Sequence, residues 1–140
     1  MRRLVSPALL ALALAGCARP APLAVTDAWV RLPAVPGRPA AGYFTVRGGP
    51  ADATVIAVSA PAARRAELHE SMAGGMRALG TLAVAAGAQV RLTPGGRHVM
   101  LFDVDPRLAA GGTMALRVSF ADGRVLETPA TLVGPADPAP

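Results

Sequence analysis

Met114-Ala-Leu-Arg-Val-Ser-Phe120 puts an apolar side chain at every second position, and a second strand-like run, 125–133, follows it after the pair Asp122-Gly123. Strict alternation marks a strand with one face in a core and one in solvent. Asp-Gly between two such runs is a hairpin signal, because the tight turn that suits twisted strands needs residues that tolerate positive φ. Working outward, comparable runs recur at 23–30, 42–47, 54–59, 66–70, 76–84, 89–92 and 98–104. Turn chemistry separates them: Pro36-Gly37, Gly48-Gly49-Pro50, Gly74-Gly75, Pro94-Gly95-Gly96 and Gly111-Gly112. No internal repeat and no convincing amphipathic helix interrupts the series. Nine short strands so spaced predict an all-β fold, a Greek-key antiparallel β-sandwich or barrel.

The start of the chain reads differently. Arg2 and Arg3 precede an apolar stretch from Leu4 to Leu14, which ends in Leu14-Ala-Gly-Cys17. That stretch is far shorter than the roughly 20 residues of a membrane-spanning helix. It fits the apolar region of an export signal, and the cysteine at the cut resembles a bacterial lipobox. The expected organisation is a signal peptide over 1–16, a lipidated Cys17 with a tether to residue 22, one domain over 23–133 and an unstructured Pro-rich tail over 134–140. An extended five-residue tether reaches at most about 15–18 Å, so the domain would ride close to the bacterial envelope, facing the periplasm and touching the membrane through its lipid alone. Cys17 is the one cysteine in the chain, so no disulfide is available within it.

Composition narrows the function. Hydrophobic residues make up 52% of the chain, enough for a core in a single domain. The formal charge of +5 falls to +3 without Arg2 and Arg3, and the arginines are scattered. Nucleic-acid binding wants a basic stripe with aromatic stacking platforms. Neither is present, so no nucleic-acid partner is expected. No serine–histidine–acid spacing, free thiol in the mature domain or phosphate-cradling Gly-rich loop suggests an enzyme.

What stands out is the placement of the two histidines beside methionines. His69 lies in Glu67-Leu-His-Glu-Ser-Met72, with Met76 seven residues on, and His98 lies in Arg97-His-Val-Met100. On a strand, residues two apart share a face, so His98 and Met100 can lean toward one point. His69 and Met76 can approach across a hairpin whose Gly74-Gly75 supplies backbone freedom. Thioether sulfur is soft and suits copper(I), whereas imidazole accepts copper, zinc or iron. Zinc would ask for thiolates, more histidine or carboxylate, and calcium for an oxygen cage. Isolated methionines are more often core filler, and Met114, in an alternating strand far from either histidine, reads that way; Trp29 likewise reads as a core anchor.

At these residues the sequence resembles the periplasmic copper chaperones that supply the CuA centre of cytochrome oxidase. The likeness runs from about Val25 to Val133 and includes Asp27-Ala-Trp-Val-Arg31, Gly42-Tyr-Phe-Thr-Val46, Glu67-Leu-His-Glu-Ser71 and Leu92-Thr-Pro-Gly-Gly-Arg-His-Val-Met-Leu101. The family pattern of a Met, twenty-one residues and then His-any-Met is met by Met76, His98 and Met100. The resemblance implies a cupredoxin-like sandwich in which His69, Met76, His98 and Met100 hold one copper(I) ion. A carrier of this kind makes and breaks no substrate bond, so a non-enzyme is expected, and a monomer. Its acceptor would be cytochrome c oxidase subunit II or a thioredoxin-like copper metallochaperone. One departure is local: the family places ten residues between its first His and Met, and here there are six, which leaves Met72 as an alternative thioether. An envelope copper buffer without a dedicated acceptor is the rival reading.

Overall fold

The structure, a computed structural model, describes residues 19–140. The expected signal peptide and the lipidated Cys17 lie outside that range. Ten strands follow in order: β1 Ala24–Arg31, β2 Ala40–Arg47, β3 Ala53–Ser59, β4 Ala63–Met72, β5 Gly75–Ala78, β6 Leu82–Val84, β7 Gln89–Arg91, β8 Arg97–Val104, β9 Thr113–Phe120 and β10 Val125–Val133. Among the described residues there is no helix. The all-β expectation holds.

The β9–β10 hairpin forms as its sequence demands. Ser119 pairs with Val125 and Leu116 with Thr128, and the turn is closed by Phe120 N–H donating to Arg124 O and Gly123 N–H donating to Phe120 O. Met114, Leu116, Val118 and Phe120 are all buried. Each such side chain removed from water contributes about 1.5–3 kcal/mol, which is why the alternating pattern fixes the register. Val30, Phe44, Val46, Val55, Val99, Leu101 and Leu132 complete the same core.

Two features differ from the sequence reading. The run 76–84 is two strands, not one: β5 pairs with β4, while β6 crosses to pair with β3. Leu79 and Gly80 break the run, and Gly80 has no side chain to pack against either neighbour. Secondly, the sheet is not wholly antiparallel, since β1 and β10 run parallel with Trp29 opposite Thr131. Alternation reports which face a residue takes and says nothing of its partner's direction.

The strands join in the order β5-β4-β8-β2-β1-β10-β9-β3-β6, with β7 on β2. This sheet curls into a sandwich until β4 and β3, each one strand in from an end, come together. The tail, expected to be without structure, folds back: Arg31 donates to the carbonyl oxygens of Gly134 and Asp137, and Asp137 accepts from Gly134 N–H. A guanidinium with several donors can capture free carbonyls that composition alone leaves unassigned.

Candidate metal centre

The site is built on the three strands at one end of the sheet. In the β4–β8 ladder His69 is the direct partner of His98 and Glu67 the partner of Met100; in the β4–β5 ladder His69 faces Ala78 and Ser71 faces Met76. Residues directly opposite share a face, as do residues two apart on one strand. His69, Met76, His98 and Met100 therefore all project from one face. It is the face opposite the buried Leu68, Val99 and Leu101. Met72 falls opposite Gly75, on the other face of the hairpin. By register, Met76 and not Met72 accompanies the histidines.

Depth within the site is graded. His98 is only 6% exposed, whereas Met76 is 54% exposed at the hairpin end. His69 and Met100 are of intermediate burial. The structure thus brings the two imidazoles and Met100 together and sets Met76 one register step farther out, at the rim.

The imidazoles stand with ring centroids 6.1 Å apart and planes tilted by 40°. A metal–imidazole bond of about 2.0–2.1 Å sets an ion about 3.2 Å from a ring centroid, so two rings sharing one ion have centroids at most about 6.4 Å apart. The observed spacing lies just inside that limit.

Hydrogen bonds fix which nitrogens remain. His98 Nδ1 lies 3.0 Å from Gly96 O, and a carbonyl only accepts, so Nδ1 carries the proton and Nε2 keeps its lone pair in the neutral ring. His69 Nε2 lies 3.0 Å from Glu67 Oε2 and donates to that carboxylate. His69 Nδ1 is buried and has no hydrogen-bond partner among the described residues. A buried, unpartnered nitrogen is costly unless something occupies it. Metal-bound histidines characteristically give their second N–H to a carbonyl or carboxylate, the state of both rings here.

The surroundings hold this arrangement. Gly96 O also accepts from Ser71 N–H, so one carbonyl ties the end of β4 to the turn that carries His98. The turn's Gly95 has φ +80°, open to glycine at no steric cost. On the reverse face Glu70 bridges Arg77 of β5 and Arg97 of β8, its register partners, at 2.7 and 3.4 Å. The Arg77 hydrogen bond, helped by the charges of Arg77 and Arg97, holds the Glu70 carboxyl below the usual carboxylate range. Glu67 is lowered as well, first by its hydrogen bond with His69 and then by the charge of Arg65.

Toward the middle of the sheet, the register that sets Met100 opposite Ala41 places Tyr43 on the same face as His98. Tyr43 stacks on Trp29 with centroids 4.3 Å apart, and burial raises its hydroxyl pKa. Met114 lies in the core, as expected. The sequence reading gave Glu67 no role and Gly96 only a place in the Pro94-Gly95-Gly96 turn. Their signal was spacing: Glu67 stands two residues before His69, and Gly96 two before His98.

Among the described residues no group of three or more His, Cys, Asp or Glu side chains could hold a metal ion. The chain matches the family model for LpqE-like lipoproteins over residues 23–132. It belongs to the LpqE-like lipoprotein family. A protein of Leifsonia xyli subsp. xyli (strain CTCB07) named as a lipoprotein, Lxx21020, is 31% identical over 104 residues. The match takes in 71% of this chain and 62% of that relative's length. Among solved structures, the copper-bound PCuAC domain from PmoF2 superposes with a TM-score of 0.68 at 19% identity, covering 84% of this chain and 100% of that one. The copper(I) form of DR1885 from Deinococcus radiodurans gives 0.66 at 27% identity, covering 83% and 81%. The fold of this LpqE-like chain is the cupredoxin-like sandwich of the PCuAC domains.

Proposed function

We propose that this protein is a copper(I) carrier, with His69, His98, Met100 and Met76 as the ligands of a single ion. The carrying observation is the placement of all four on one sheet face, with the imidazole centroids within the span of a shared ion and one ring nitrogen of each without a partner among the described residues. The copper(I)-bound DR1885 fold supports the choice of metal, as do the soft donors. Ligands graded from buried His98 to exposed Met76 suit a cargo that must leave. An acceptor thiolate can displace the outer thioether first and the imidazoles afterwards, so release proceeds by stepwise exchange.

The carrier breaks no substrate bond and works as a non-enzymatic monomer. It is lipid-anchored through Cys17 on the periplasmic side of the envelope. Its acceptor is cytochrome c oxidase subunit II or a thioredoxin-like copper metallochaperone serving the CuA site. Anaerobic transfer from the copper(I)-loaded protein to each purified acceptor tests this function. Transfer faster than from free copper(I)–chelator complexes is the expected result; equal rates would reduce the protein to a buffer.

A further inference from the structure

Glu67 uses both oxygens. Oε2 receives His69 Nε2–H at 3.0 Å, and Oε1 sits 3.0 Å from Arg65 Nε. Arg65 is in turn stacked on its register partner Phe102, with Cζ 4.2 Å from the ring centroid. Phe102, Arg65, Glu67 and His69 thus form one chain of contacts along the metal face of β4 and β8. The two nitrogens of an imidazole point away from one another across the ring. With Nε2 held toward Glu67, Nδ1 is turned away from it, and it is Nδ1 that lies buried without a partner. In His98 the roles are reversed, since Gly96 O takes Nδ1–H.

We propose that Glu67 is a positioning residue that locks the His69 ring so that Nδ1 binds the ion, giving a mixed pair of donors, Nδ1 of His69 and Nε2 of His98. The inference rests on the copper(I) reading above. Glu67 does not touch the ion; it sets ring angle and tautomer, and Arg65 on Phe102 keeps the carboxylate in place. Loss of such an outer partner lowers metal affinity about 10–100-fold.

The test uses 15N-labelled histidine in the copper(I)-loaded protein, whose closed-shell ion leaves the spectra sharp. Loading is expected to shift Nδ1 of His69 and Nε2 of His98, while the His69 Nε2 proton persists. Glu67→Ala is expected to lose that protected proton and to weaken copper(I) binding about 10–100-fold, with Glu67→Gln restoring part of both because its amide oxygen still accepts. A copper-induced shift on Nε2 of His69, or a Glu67→Ala variant with unchanged affinity, overturns the assignment to Glu67 and leaves the carrier reading standing. No shift at either histidine on loading overturns both.

Discussion

His69 and His98 are direct register partners on neighbouring antiparallel strands, and each has one ring nitrogen tied to the protein and one with no partner among the described residues. Two rings so placed do little for stability, because a buried nitrogen without a partner is a cost. The arrangement makes sense when an ion completes it.

Replacing His98 and Met100 together with alanine removes half of the donor set while leaving Leu68, Val99 and Leu101, the core on the other face, untouched. Copper(I) affinity should fall by at least about a hundredfold, roughly 2.7 kcal/mol, with a cooperative melt retained. Anaerobic competition with a chromophoric chelator measures the first and thermal unfolding the second.

The two exposed methionines should separate cleanly. Met76 shares the face of His69 and Met72 does not. Met76→Ala is expected to cost about tenfold in copper(I) affinity, near 1.4 kcal/mol, and Met72→Ala to leave it unchanged. The same chelator competition decides the matter, and the reverse order would mean that the shortened hairpin re-registers on binding.

Glu70 links β5 and β8 through Arg77 and Arg97 on the reverse face. Its folded-state pKa is depressed, so this contribution is present above the ordinary carboxylate range and is lost as pH falls through the lowered value. Glu70→Gln should therefore raise amide exchange over 75–78, the exposed edge strand, at neutral pH, and the difference from the parent should shrink in acid. Hydrogen–deuterium exchange measured by residue reads both effects.

The core offers a control for the site variants. Leu116 is fully buried in the β9–β10 hairpin, and its truncation to alanine should cost about 2–5 kcal/mol of stability. Urea unfolding measures the loss, and copper(I) affinity of the folded fraction should not change.

Much of this was legible in the chain. The Met114–Phe120 alternation and Asp122-Gly123 define a hairpin because burial and turn sterics act locally. The family resemblance implied that His69 and His98 serve one site, but their direct pairing was not legible, since no local rule brings two residues so far apart in sequence to one register. The split of 76–84 and the parallel β1–β10 contact were illegible for the same reason: partner choice is settled by long-range packing. Glu67 escaped notice because a glutamate at alternate spacing from a histidine is common on any exposed strand face. Its role emerges only once His69 Nε2 is seen bound to it.

X-ray absorption at the copper edge of the copper(I)-loaded protein addresses the donor set itself. Both imidazole nitrogen and thioether sulfur in the first coordination shell, with the sulfur contribution diminished in Met100→Ala, is the predicted result. A shell of oxygen and nitrogen alone, identical in the parent and the variant, would contradict it.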